Sequence, residues 1–414
     1  MPLKRALIIT VGTGTRHDVD IVRPLTKTVR DSRPDYTVFV ATQDSREHGK
    51  RIAAILGLDS SAYSIEIVEQ FDDVESVFIE MSKIIRQVVS RGYSPEDIQV
   101  DFTSGTKAMS AGAVLAAIYQ NCASLKYITG ERERGVVKDG TERFVSLCPH
   151  AVFAVYEIKT AIELVKKLRF QPAIELLDNI NPKLLAPEDI ELLASVKAVA
   201  QAYDFWDRFE HIKFTGSIKK VKWRFPELQI FQVGDPVRET VHRIGETLKA
   251  EKAVINEDVL LDLFNNAERR AMEGRYDDAV ARLYRLTEML AQYVLNSRYQ
   301  IDTGNVDIKK TPTEMHKRLE AHRDTSDGNK VKIGLRVSYE LLEAWGEKIG
   351  KKYGENNRIK HLLNERNNSL LAHGNKPVTH GLYLKLKQEV VDLLKVEIDD
   401  LEARARSLNF PWIR

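Results

Sequence analysis

The first 150 residues alternate short runs rich in β-branched and aromatic residues with stretches whose apolar residues recur every three or four positions, and this alternation constrains the fold most. The extended runs are ALIITV (6–11), YTVFVAT (36–42), YSIEIV (63–68), IQVDFT (98–103), SLKYIT (124–129) and FVSLCP (144–149). Between them lie IVRPLTKTVRDS, HGKRIAAILG, VESVFIEMSKIIRQVVSRG and TKAMSAGAVLAAIYQN, all with helical spacing. Strands and helices in alternation predict a mostly parallel sheet with helices on both faces, a Rossmann-like α/β domain.

Strand signals fade after about residue 151. AIELVKKLRFQPAIELLDNI (161–180) and DIELLASVKAVAQAYDFWDRF (189–209) read as helices, with Pro182 and Pro187 interrupting the pattern. The stretch 205–250, with Trp206, Trp223, Pro226 and Pro236, is the least regular. From about 256 the pattern is helical to the terminus, broken by polar stretches at 300–313 and 323–331. Single cores stop growing at about 250–300 residues, so a chain of 414 is expected to divide. The expected division is an α/β domain over 1–150, an all-α connecting region over 151–255 and an all-α domain over 256–414. A weak self-similarity links LRFQPAIELL (168–177) to GRYDDAVARLYRL (274–286): each has a basic residue and an aromatic before an alanine-led helix.

Composition excludes several classes. With 43% hydrophobic and 29% charged residues the chain has the makeup of a globular protein rather than a disordered one. A net charge of +2 provides no global basic field, so any nucleic-acid site must come from local arrangement. Two cysteines, Cys122 and Cys148, make neither a disulfide framework nor a four-thiolate metal site, and a reducing cytoplasm is the expected setting. The apolar run at the N-terminus reaches Gly12 too soon for a signal peptide, and no stretch approaches the roughly 18 apolar residues of a membrane span.

Two turns are candidate ligand sites. Val11-Gly12-Thr13-Gly14-Thr15-Arg16 follows the first strand, and Asp101-Phe102-Thr103-Ser104-Gly105-Thr106-Lys107 follows the fourth and runs into a helix. Ligands of open parallel sheets bind beyond the carboxyl ends of the strands. Glycines admit close backbone approach, and hydroxyls, a lysine and free amides at a helix start suit a phosphate. Neither turn has the third glycine of the dinucleotide fingerprint or the spacing of the P-loop. Together VGTGTR and DFTSGTKAMSAG resemble the CARF domain (CRISPR-associated Rossmann fold), whose turns hold a cyclic oligoadenylate. The resemblance covers roughly the first 150 residues and implies a ligand site of Thr13, Gly14, Thr15 and Arg16 with Ser104, Gly105, Thr106 and Lys107.

The third candidate is RIKHLLNERNNSLLAHGNKP (358–377), expected to be a helix ended by Gly374 with Pro377 beyond. Its apolar stripe runs through Ile359, Leu362, Leu363 and Leu370, and the same steps land on Arg366 and His373. Seven residues turn a helix by about 700° and advance it by about 10.5 Å, so the two side chains align without meeting. An antiparallel copy across a two-fold axis near Leu370 would set Arg366 of one subunit opposite His373 of the other. Such a cleft suits RNA cleavage without metal: histidine moves a proton near neutral pH while arginine stabilises the charge developing on the phosphate. RNNSLLAH resembles the R-x(4–6)-H motif of HEPN ribonucleases, and YDDAVARLYRLTEMLAQYVL (276–295) resembles their first long helix.

A CARF-like domain followed by a HEPN-like one is the order of the CRISPR type III accessory ribonucleases. The resemblance implies a cytoplasmic homodimer that cuts single-stranded RNA with Arg366, Asn367 and His373, without metal or other cofactor. Its implied activator is a cyclic oligoadenylate made by a type III CRISPR complex, the tetra-adenylate being the expected ring. The alternatives are a cyclic-oligoadenylate sensor that regulates transcription, disfavoured by the lack of a basic recognition helix near the C-terminus, and a ring nuclease that degrades its own activator.

Overall fold

The computed structural model describes residues 4–14, 21–133, 136–138, 140–250, 255–367 and 374–413. The chain forms two compact units, one of residues 1–157 with 180–187 and one of 158–179 with 188–414.

The first unit is the Rossmann-like domain expected from the alternation. Six strands, β1 (Ala6–Val11), β2 (Tyr36–Ala41), β3 (Tyr63–Ile67), β4 (Ile98–Asp101), β5 (Ser124–Thr129) and β6 (Arg143–Leu147), form one sheet in the order β3-β2-β1-β4-β5-β6. All neighbours are parallel except β5 and β6, which make an antiparallel edge. β1 and β2 are buried throughout, as strands covered on both faces must be. Helices α1 (Val22–Ser32) and α2 (Arg46–Leu56) pack on one face over Leu7, Ile9 and Val11, and α3 (Val74–Ser90) and α4 (Lys107–Tyr119) on the other over Ala6, Ile8 and Val100. The small residues of α4 have a steric reason. A Cβ on Gly112 would lie 2.5 Å from Val77 Cγ1, so glycine there lets α3 and α4 approach closely.

The second unit is helical apart from a hairpin of two-residue strands, Arg323–Asp324 with Lys330–Val331, in one of the polar stretches. Helix α5 (Pro149–Lys166) leads into it, followed by α6 (Phe170–Asp178), α7 (Pro187–Asp207), α8 (His211–Ile218), α9 (Asp235–Lys249), α10 (Glu257–Met272), α11 (Tyr276–Tyr299), α12 (His316–Glu320), α13 (Leu335–Ala344), α14 (Lys348–Glu355), α15 (Asn357–Asn367), α16 (His380–Glu397) and α17 (Leu401–Ser407).

Two expectations need correction. The stretch 161–180 is two helices rather than one: it breaks at Leu168, which is left-handed at φ 62°, because Pro172 has no N–H to donate and is accommodated in the first turn of a new helix. The irregular stretch 205–250 is largely ordered, holding α8, α9 and a 3₁₀ turn at Pro226–Phe231. The weak self-similarity has a concrete basis. Leu168 and Gly274 both take positive φ, Arg169 and Arg275 both stand at an N-cap, and an aromatic residue then opens α6 or α11. The same turn recurs at Phe209, Glu210 and His211, where the sequence offers no such cue.

The core of this unit contains an aromatic cluster and a charged one. Tyr203, Trp206 and Phe214 meet Phe410 and Trp412 near the C-terminus, with centroids 4.5–5.8 Å from Tyr203 or Trp206. Beside them Asp262 accepts hydrogen bonds from Trp206 Nε1 (2.9 Å) and pairs with His211 Nε2 (2.7 Å). Asp207 accepts from Arg269 Nε (2.8 Å) and Asn266 Nδ2 (2.9 Å) and pairs with Arg270. Arg269 is fully buried, with its guanidinium 4.1 Å above the Phe410 ring. Among the described residues no helix is long and apolar enough to cross a membrane.

Candidate functional site

The two glycine turns of the first unit are in contact because β1 and β4 are parallel neighbours, which brings their carboxyl ends together. Gly12 N–H donates to Ser104 Oγ (3.0 Å), and Thr10 Oγ1 donates to the Ser104 carbonyl. A Cβ on Gly12 would lie 2.7 Å from Gly105 N and 2.9 Å from Gly105 Cα, so only glycine fits between the turns. Gly14 and Gly105 take φ of 83° and 103°, which side chains rarely adopt.

The expected ligand residues divide into scaffold and mouth. Ser104 is buried with its hydroxyl engaged by Gly12, and the Thr106 hydroxyl caps α4 by accepting from Met109 N (3.0 Å) while donating to the Phe71 carbonyl (2.5 Å). Thr13, Gly105 and Lys107 are exposed, and Gly14 is partly so. The amides of Lys107 and Ala108, first in α4, make no hydrogen bond among the described residues, and the Lys107 ammonium has no ion-pair partner among them. Thr15 and Arg16 lie outside the described residues. The mouth therefore offers two helix-terminal N–H groups, a cation and a hydroxyl, a donor set suited to a phosphate-bearing ligand.

Three residues support the turns; Asp101 was read only as the start of the second turn, and Ser45 and His48 escaped sequence reasoning. Asp101 is buried at the end of β4 and accepts from Thr103 N (2.8 Å); burial raises its carboxyl above the ordinary range, against the Thr103 hydrogen bonds. Ser45 Oγ donates to the Val11 carbonyl (2.7 Å), and His48 Nδ1 donates to the Gly12 carbonyl (3.0 Å), so the start of α2 braces the first turn. Ser45 and His48 carry no spacing signal, since their partners are main-chain atoms at the end of β1 and in the turn after it, more than 30 residues away.

In the second unit α15 carries Arg366 and Asn367 in its last turn; their side chains, and His373 with all of 368–373, lie outside the described residues. The described helix buries Ile359, Leu362 and Leu363 along the expected stripe. Asn356 sets its start, accepting from Ile359 N (2.9 Å) while donating to Glu389 on α16 (2.7 Å). Beyond the motif the chain is held again. Val378 N donates to the Asp277 carboxylate (3.1 Å), and the His380 ring packs at a tilt against Tyr276 (centroids 5.0 Å apart). Tyr383 donates to Glu268, and burial together with this hydrogen bond drives its hydroxyl far above the ordinary range. On either side of 368–373, the described helices α15 and α16 both pack against α11. Asp277 and Tyr276 sit in YDDA, where the sequence showed only the opening of a helix.

Comparison with known proteins agrees with this arrangement. Residues 250–397 match the family described as the Csm6 HEPN domain. Among solved structures, Enterococcus italicus Csm6 bound to cyclic hexa-2'-fluoro-hexa-dAMP superposes with a TM-score of 0.59 at 13% identity, covering 98% of this chain and 99% of that one. Can2 from Sulfobacillus thermosulfidooxidans in complex with cyclic tetra-adenylate aligns at 9% identity, TM-score 0.26, over 72% of this chain and 70% of that one. Protein VC1899 from Vibrio cholerae aligns at 11% identity, TM-score 0.25, over the same shares. No curated protein sequence matches the chain. The chain thus carries a segment matching the Csm6 HEPN domain at residues 250–397 and shares its fold with a Csm6 over nearly its whole length.

Proposed function

We propose that the protein is an endoribonuclease switched on by a cyclic oligoadenylate and cutting single-stranded RNA without metal. The observation that carries the reading is the Csm6 HEPN match over 250–397, the segment that holds Arg366, Asn367 and His373. In this reading the RNA 2'-hydroxyl attacks the adjacent phosphate, His373 moves the proton, and the Arg366 fork stabilises the pentavalent oxyanion. Asn367 orients a phosphate oxygen or the imidazole. Because Arg366 and His373 stand seven positions apart in the sequence, the working unit in this reading is a homodimer whose two copies supply arginine and histidine to one cleft.

The activator binds the mouth formed by Thr13, Gly14, Thr15 and Arg16 with Gly105 and Lys107, with Ser104 and Thr106 shaping it. The cyclic hexa-adenylate analogue on the Csm6 of shared fold supports this ligand class. Activation requires the ring to bind the cutting arrangement more tightly than the resting one.

The test is incubation of purified protein with labelled RNA in EDTA, alone and with cyclic tri-, tetra- or hexa-adenylate. Cleavage is expected only with a ring, tetra-adenylate first. His373→Ala should lower the rate by about 10²- to 10⁴-fold while leaving activator binding intact, and Lys107→Ala should weaken binding of the ring. Full cleavage by the His373→Ala protein would sink the assignment.

A further inference from the structure

A cleft of about 750 Å³ opens in the second unit beside the motif helix, bounded by α12, the start of α13, α14 and α15. Lys360, Leu363 and Asn364 of α15 line it. Positions 360, 363, 364 and 367 share one face of a helix, and Asn364 precedes Arg366 by about 3 Å along the axis. The Asn364 end of the cleft therefore lies within one helical turn of Arg366 along α15.

Its chemistry is that of a nucleotide site. Arg318 and Arg336 share one carboxylate, Glu340, each through Nε (3.1 and 2.8 Å). Their terminal nitrogens make no hydrogen bond among the described residues, and Arg336 is 80% exposed. One carboxylate between two guanidiniums leaves net positive charge at the rim, and Glu343, the other acid of the lining, lies instead against Gly354. Partly exposed Tyr284 supplies an aromatic wall, the Asn364 amide can meet a base edge, and His322 completes the rim. The volume falls in the range of small-molecule sites and accommodates a nucleotide.

We propose that this cleft seats a nucleotide of single-stranded RNA flanking the scissile phosphate, with Arg318 and Arg336 on the phosphate and Tyr284 and Asn364 on the base. The inference rests on the ribonuclease reading above and adds to it a substrate subsite outside the Arg366–His373 motif.

The experiment combines Arg318→Ala with Arg336→Ala in the full-length protein. Both side chains are well exposed, whereas Lys360 is left unchanged because its ammonium bonds the Gly354 carbonyl. Affinity for a fluorescent single-stranded RNA is read by anisotropy in the His373→Ala background, and KM and kcat in the activated protein. The expected result is RNA binding weakened about tenfold, a shallower salt dependence, and a KM raised with kcat nearly kept. Unchanged affinity and KM in a protein that cuts RNA would overturn the cleft and leave the catalytic reading standing. Arginine-dependent RNA binding by a protein that never cuts would do the reverse. RNA binding and cleavage unchanged alongside loss of a protein partner would assign the cleft to that partner instead.

Discussion

At Gly12 a single methyl group would have to displace main chain on the opposite turn, because its nearest neighbours are the Gly105 amide and Cα. Backbone cannot step aside as a flexible side chain can, so Gly12→Ala should cost about 1–3 kcal/mol of stability, measured by urea unfolding, and loosen the activator mouth. Asp101 acts on the same turn through its charge. Burial holds its carboxyl above the ordinary value, so the folded state binds that proton more tightly than the unfolded chain. Its stabilising contribution is full below the unfolded pKa and is lost as pH rises through the folded one. Asp101→Asn keeps an acceptor for Thr103 N and removes the buried charge; its stability should be flatter than the native protein's from about pH 4 upward, checked by urea titration at a series of pH values. Gly12 and Lys107 were legible in the sequence because glycine turns and basic helix starts are local signals, whereas Ser45 and His48 were not, because their partners lie at the end of β1 and in the turn after it.

Among the elements, those with strong periodicity were readable nearly to the residue: β1 and β5 span the expected runs, and α11 opens at Tyr276 as its pattern predicted. What stayed hidden is set by contacts distant in the chain. The break at Leu168 is the exception, since Pro172 is a local cue, whereas α8 and α9 are held by packing that no local pattern announces. The charged core is the clearest example. Asp207 ends α7, yet Arg269 and Arg270 on α10 converge on it, and Arg269 also reaches Asn409 (3.2 Å). Asp207→Ala removes the carboxylate shared by two buried guanidiniums, leaving Arg270 to Glu273 and Arg269 to Asn409, and should cost about 3 kcal/mol, read as a lowered urea midpoint. Of the HEPN motif, the apolar stripe through Ile359, Leu362 and Leu363 was legible, while the clamps at Asp277 and His380 were not.

For the whole molecule, the spacing of Arg366 and His373 makes a claim about two chains. Arg366→Ala and His373→Ala proteins should each be inactive alone. Mixed after subunit exchange, they should regain part of the activity, because a mixed dimer keeps Arg366 on one chain opposite His373 on the other. No recovery, with exchange verified, would place both groups within one chain. The Rossmann-like architecture of the first unit followed from the order of its strands and helices, since the parallel sheet needs crossover helices and β1 and β4 must then be neighbours at the turns. The aromatic cluster has a practical counterpart. All four tryptophans, Trp206, Trp223, Trp345 and Trp412, belong to the second unit, with Trp206 in its core and the half-buried Trp412 packed against Tyr203 and Phe410. The first unit is therefore dark in tryptophan fluorescence, and any change of emission when a ring of adenylates is added reports a message that has already crossed into the half of the chain that carries the nuclease motif.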